Sequence, residues 1–244
     1  QLRRLVGRDA YGNAEKEVLT SHNFVEVHCD YMGWCARTDE GRLFCGGEDR
    51  TLWGTGAEDD GRASVDEAVE VYGSHTFSQV AVGAMNGASD CIDPHHFACA
   101  LDDAGEVWCW GDNALGSLGS AITTSSTELL PVAPELDAVA ASPWYVLDAE
   151  GDLWFTKSTL ENDRITAKAT LVSSGHNLER LGHPSDYYGG HCAIDDQGVP
   201  WCWRYCLEGI VNGPADSACT PQPVTLPGRA VMTASLLGKS CAVM

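Results

Sequence analysis

One cysteine spacing, repeated three times, constrains this 244-residue chain more than any other feature. Cys35/Cys45, Cys99/Cys109 and Cys192/Cys202 are each ten residues apart, in the related texts CARTDEGRLFC, CALDDAGEVWC and CAIDDQGVPWC. A glycine (Gly41, Gly105 or Gly198) stands six residues after the first cysteine of each pair. If positions i and i+10 oppose each other, the chain between them is a hairpin with a three-residue loop. The loops would be Asp39-Glu40-Gly41, Asp103-Ala104-Gly105 and Asp196-Gln197-Gly198. Such a loop ends in a left-handed residue, a conformation glycine adopts without steric cost. Directly opposed antiparallel positions also bring two Cα atoms within disulfide range. Glycine position and cysteine spacing therefore predict the same three bridged hairpins independently.

The template finds a degenerate copy in YVLDAEGDLWF, where Tyr145 and Phe155 take the two cysteine positions and Gly151 the turn. An aromatic cross-strand pair replaces the bridge there. A fifth, incomplete copy ends the chain: GKSCAVM places Cys241 at the first-cysteine position. The opening text QLRRLVGRDAYGNA resembles EVWCWGDNALGSLG, which follows the turn in the second copy. First positions fall at 35, 99, 145, 192 and 241, so most steps lie between 46 and 49 residues. A period of ~40–50 with several short strands per unit is a propeller signal. A further strand is expected before each hairpin, at 24–27, 78–82, 136–140, 178–181 and 229–232. Helical periodicity is poor, and 26 Gly and 10 Pro break the chain. The expected class is all-β.

The text between residues 80 and 119 resembles the regulator-of-chromosome-condensation repeat, through Val82, Gly83, Cys99-Ala100-Leu101, Gly105, Val107, Trp110-Gly111, Asn113, Gly116, Leu118 and Gly119. Residues 178–213 match in part through Gly182, His191-Cys192-Ala193-Ile194, Gly198, Val199 and Trp201-Cys202-Trp203. Residues 25–56 match through Val27, Cys35-Ala36, Gly41, Leu43, Gly47, Gly54 and Gly56, and residues 136–160 weakly. The paired cysteines resemble the cysteine-rich secreted versions of the repeat. The resemblance implies a β-propeller of about five four-stranded blades, the last closed by the N- and C-terminal strands. It implies one domain over residues 1–244, with repeats at about 24–56, 78–119, 136–160, 178–213 and 229–244 joined to 1–14. A piece of a longer, seven-bladed array would also begin and end with complementary halves. The start at Gln1, without an initiator Met or a signal-type apolar stretch, reads as a processed or trimmed chain.

Within that frame the other cysteines find roles. Cys206 and Cys219 would pair across an inserted loop, Cys29 and Cys91 would bridge neighbouring blades, and Cys241 would be left over at the seam. Trp108, Trp110, Trp154, Trp201 and Trp203 are expected in core or inter-blade packing, and Trp53 and Trp144 nearer an exposed face. Cys91, Asp93, His95 and His96 are metal-ligand types at a spacing that fits no zinc pattern, so no metal is assigned. The acidic pairs Asp59-Asp60, Asp102-Asp103 and Asp195-Asp196 leave calcium open, although hairpin turns explain those ahead of glycine. No nucleophile elbow, P-loop or dinucleotide fingerprint occurs, so neither catalytic residues nor a cofactor are assigned.

Lys and Arg number 15 against 35 Asp and Glu, a formal net charge of −20. That disfavours nucleic acid, whose phosphates are met by basic residues, and anionic bilayers likewise. No apolar run is long enough to span a membrane. Disulfide-spaced cysteines point to a secreted, extracellular, periplasmic or cell-surface setting. The expected function is a non-enzymatic protein-binding scaffold, because insertions at 84–97, 157–177 and 204–220 break an otherwise regular template. Contact candidates are Trp53, His95, His96, Tyr187, Tyr188 and Tyr205. The resemblance also implies two alternatives, an inhibitor of a secreted or cell-wall enzyme of the β-lactamase-inhibitor kind and a guanine-nucleotide exchange factor, and a glycan-binding propeller using its mouth is a third. Self-association through the seam near Cys241 completes the expectations.

Overall fold

A computed structural model describes residues 3–8, 15–20, 22–29, 33–47, 54, 68–71, 73–85, 95–113, 116–120, 124–161, 164–184, 190–204, 220–236 and 239–244. Each predicted hairpin forms in the expected register. Cys35 opposes Cys45, Cys99 opposes Cys109 and Cys192 opposes Cys202, all disulfide-bonded with Cα atoms 4.1 Å apart. Tyr145 opposes Phe155, their rings 5.4 Å apart. The turn glycines Gly41, Gly105, Gly151 and Gly198 all have φ between +77° and +82°.

Around each hairpin a four-stranded antiparallel sheet is built in sequence order. The first blade is Phe24–Cys29, Gly33–Thr38, Leu43–Gly47 and Val69–Glu70. The second is Phe77–Met85, His95–Asp102, Val107–Gly111 and Ser126–Val132. The third is Ala138–Ser142, Tyr145–Asp148, Leu153–Phe155 and Thr170–Ser173, with a small hairpin, Thr159–Glu161 on Arg164–Thr166, inserted before its last strand. The fourth is Leu178–Leu181, Gly190–Asp195, Pro200–Arg204 and Gln222–Pro223. The chain is therefore an all-β propeller of four complete blades and a partial fifth.

That fifth sheet pairs Met232–Leu236 with Lys239–Val243 and adds His183–Pro184 in parallel. Its first strand starts three residues later than the sequence suggests, because Ala230 is already used in the junction, donating its N–H to the Gly198 carbonyl. The opening residues form a separate hairpin, Arg3–Arg8 on Glu15–Thr20. Among the described strands no ladder joins that hairpin to Lys239–Val243, so the fifth sheet is partial and the expected closure by N- and C-terminal strands is not formed among them.

Two repeated devices set the blades in place. The first strand of each complete blade carries one register shift at the same point: Phe24/Glu26, Phe77/Gln79, Ala138/Ala140 and Leu178/Arg180. A bulge there bends the strand and increases its twist. Each turn glycine also accepts a backbone bond from the next blade: Gly41 from Phe77, Gly105 from Ala138, Gly151 from Leu178 and Gly198 from Ala230. A Cβ on Gly151 would meet the Leu178 nitrogen at 2.9 Å, so glycine serves both the turn and the junction. Buried apolar residues fill the space between blades in two clusters, one around Cys35, Leu43, Val80 and Trp110, the other from Phe97 through Tyr145 to Trp203.

Candidate interaction faces

Antiparallel strand direction gives the propeller two unlike ends. The tight turns between second and third strands, with the links from one blade to the next, lie at one end. The connections between first and second, and between third and fourth strands, lie at the other.

At the turn end a carboxylate network recurs. Asp102 Oδ1 accepts the N–H groups of Ala104 and Glu106 at 3.0 and 2.9 Å, and Oδ2 accepts the Trp108 indole N–H at 3.0 Å. Asp148 does the same with Glu150, Asp152 and Trp154, and Asp195 with Gln197, Val199 and Trp201. Burial pushes the Asp102 carboxyl up, but the donors from Glu106, Trp108, Ala104 and His75 outweigh it and hold it below the usual carboxylate range. In the first blade Thr38 replaces the aspartate, its hydroxyl accepting the Arg42 N–H, while Phe44 replaces the tryptophan. The two positions change together, as a bond between them requires. This pairing was missed at the level of sequence, although Asp followed six residues later by Trp is written there three times.

Rings at this end also pack on one another, His176 on Trp201 stacked and the other two pairs tilted. His75 lies 4.3 Å from Trp108, His176 lies 4.0 Å from Trp201, and His22 lies 4.3 Å from Phe44. Around them stand exposed acids: Asp39, Glu40, Asp103, Glu106, Glu135, Asp137 and Glu150. Arg42 is engaged by Glu70 at 2.6 Å, and Arg229 by the Asp196 carbonyl at 2.8 Å. The turn end is thus regular, acidic and largely satisfied within itself.

The opposite end is irregular. The strand ends flanking 86–94, 185–189 and 205–219 all open there, as does the inserted hairpin within 157–169. Of the contact candidates, His95 starts the second strand of its blade opposite Met85. Trp53, Tyr187, Tyr188 and Tyr205 lie outside the described residues, as do Cys91, Cys206 and Cys219 and the side chains of Cys29 and Cys241. His96 is corrected: it is only 1% exposed, inside its blade beside the Gly111 strand end. Trp144 is corrected too, at 2% exposure. Held in a left-handed turn (φ +68°), it packs on Phe97 at 5.2 Å rather than facing solvent.

Beneath this end an aromatic layer joins three blades. Tyr145 packs on His191 at 4.7 Å and on Trp203 at 5.2 Å. Burial lowers the His191 imidazole to about 3 and raises the Tyr145 phenol, the latter partly offset by Trp203. Lys157, also buried, is lowered to about 8 by the same desolvation. Two rim clefts of about 200 and 230 Å³ lie beside Lys168 and Arg229, below the ~300 Å³ at which small-ligand pockets usually begin. Among the described residues no three His, Cys, Asp or Glu side chains gather as metal ligands. None of their helices is long and apolar enough to cross a membrane.

Known proteins locate this architecture. The Regulator of chromosome condensation (RCC1) repeat matches residues 95–117, within the blade where the sequence resemblance is strongest. No curated protein matches the chain in sequence. Among solved structures, human WBSCR16 superposes with a TM-score of 0.64 at 18% identity, over 95% of this chain and 61% of that one. Yeast RCC1 (Prp20), solved bound to Kap60, gives 0.64 at 15% identity over 94% and 56%. Prp20p of Saccharomyces cerevisiae, described with its binding to Gsp1p and histones, gives 0.62 at 14% identity over 91% and 56%. The chain thus spans about three fifths of these structures' length. The resemblance to the RCC1 repeat holds, and the fold is that of the RCC1 propeller, here with three hairpin disulfides compatible with an oxidising extracellular environment.

Proposed function

We propose that this chain is a secreted, non-enzymatic protein-binding propeller that uses its irregular end to hold a cationic protein partner. The observation that carries this reading is topological: the insertions that break the repeat open at one end of the blades, while the other end is occupied by regular turns. Loops held by a rigid scaffold are where binding usually resides. His95, Tyr187, Tyr188 and Tyr205 are contact candidates within or beside the irregular segments of that end, and Trp53 lies in the connection between third and fourth strands of the first blade. The −20 charge favours a basic partner and fast association with it. Prp20, of the same fold, is described as bound to Kap60 and as binding Gsp1p and histones, which supports protein rather than small-molecule recognition.

The test is affinity capture from the extracellular milieu, followed by direct binding measurement with the purified captured protein. A basic protein bound in a salt-dependent way supports the reading. Retention of glycans alone sinks it. An enzyme as the captured partner narrows the role to inhibition, read out as loss of that enzyme's turnover.

A further inference from the structure

The inserted hairpin of the third blade, Thr159–Glu161 on Arg164–Thr166, returns to its blade through Ala167-Lys168-Ala169. Those three residues close one of the two rim clefts, against Leu130, Pro131 and the Ala133-Pro134-Glu135 link that leaves the second blade. The cleft therefore lies between two complete blades. Its lining comes entirely from residues 119–169, well inside the chain.

The cleft has apolar walls, from Leu130, Pro131, Pro134 and the two alanines, and two exposed charges of opposite sign, Lys168 and Glu135. No ion pair joins those charges or ties either of them to another described residue. Ser120 also lines the cleft, and its buried Oγ has no hydrogen-bond partner among the described residues. A buried hydroxyl left in that state calls for a partner. On the second-blade side Ala133 is held at φ +47°, a left-handed conformation uncommon outside glycine. Backbone strain of that kind gathers at ligand clamps.

Ligand sites combine apolar walls with a few polar groups that fix orientation. At about 200 Å³ this cleft has the liquid volume of roughly six or seven waters, so its occupant is much smaller than a drug-sized molecule. An ammonium and a carboxylate that share a small cleft without pairing are complementary to a ligand that carries both charges itself. A ligand with a carboxylate alone would set its charge against Glu135, and one with an ammonium alone would set its charge against Lys168.

We propose that this cleft binds a free aliphatic α-amino acid. Its carboxylate lies toward Lys168 and the Ser120 hydroxyl, its ammonium toward Glu135, and its side chain on Leu130, Pro131 and Pro134. The site stands apart from the irregular end and does not depend on a protein partner there.

The experiment is calorimetric titration of the full chain with L-leucine, N-acetyl-leucine and leucinamide, the last two each lacking one of the charges. Leucine binds saturably at one site, and each derivative binds at least tenfold more weakly. Lys168→Met and Glu135→Gln, both at exposed positions, each weaken leucine binding at least tenfold while melting temperature stays that of wild type. Amide chemical shifts confirm the place, moving at Ser120, Ala133 and Ala169 as leucine is added. No saturable binding of leucine at millimolar concentration overturns the proposal. Equal binding of the two derivatives, or variants that bind leucine as wild type does, overturns it equally.

Discussion

The indole of Trp108 donates to Asp102, six residues upstream, across the end of a hairpin whose turn the same carboxylate closes. The bond recurs at Asp148–Trp154 and Asp195–Trp201 and is absent where Thr38 and Phe44 stand. Coupling should therefore be transferable. Thr38→Asp alone and Phe44→Trp alone are expected to be neutral or destabilising. The double variant should recover ~1 kcal/mol beyond their sum, as expected for contacting residues. Denaturant unfolding of the four species measures it. In the other direction, Asp148→Ala should cost ~2 kcal/mol, because it removes a charge-assisted acceptor from three donors.

Gly151 and Gly175 separate the two demands made on glycine. Their φ angles are +77° and +75°, but a Cβ on Gly151 would press on Leu178 and Asn177, while one on Gly175 meets nothing within 4 Å. Gly175→Ala should cost ~1 kcal/mol, the left-handed penalty alone. Gly151→Ala should add ~2 kcal/mol for the forced inter-blade contact. Equal losses in thermal unfolding would remove the junction role.

Tyr145 and Phe155 occupy the register of a bridge without forming one. Tyr145→Cys with Phe155→Cys should close a fourth disulfide, seen as loss of two hydrogens by mass spectrometry under oxidising conditions. The variant should nonetheless be less stable than wild type by ~2 kcal/mol. Tyr145 is fully buried against His191 and Trp203, and the cavity it leaves exceeds the ~2–3 kcal/mol a short-loop bridge restores.

What the sequence revealed, and what it hid, follows from how far each property reaches. Register was legible because Cys192, Gly198 and Cys202 lie within one hairpin and report on each other locally. The first strand at 178–181 was legible for the same reason. Burial across a junction was not. Trp144 sits in a short connection that by text alone could face water, yet Pro143 beside it packs within contact distance of Gly83 of the preceding blade. His96 is hidden instead within its own blade, beside the strand that ends at Gly111. The Asp–Trp bonds were local and could have been found, but aspartate before glycine already had an explanation as a turn former. Trp108 and Trp110 share one flank of one strand, yet the first is half-buried at the turn end and the second fully enclosed between blades.

His191 gives the chain a pH dependence with a defined sign. Its folded-state value of about 3 lies below the ordinary 6.5, so between them the unfolded chain binds one proton more. Stability should fall as pH drops from about 6.5 towards 3, by ~1.4 kcal/mol per unit from this group. Asp102, held below its ordinary 3.8, adds its own loss as pH falls through about 4 and below, overlapping the acid end of that window. Melting temperature against pH, compared between wild type and His191→Phe, isolates the imidazole. Parallel curves through pH 4–6 would exclude it as the cause.

Under the proposed function, binding resides at the irregular end. The most direct measurement compares two variants of matched stability for binding to the captured partner by calorimetry. One replaces residues 205–219 with a short turn, and the other carries Glu40→Lys, Asp103→Lys and Glu150→Lys at the turn end. The loop variant should lose affinity at least tenfold. The turn-end variant should keep most of its affinity, with slower association as its net charge becomes less negative. A loop variant that binds as wild type, or a turn-end variant that loses binding outright, would contradict that placement.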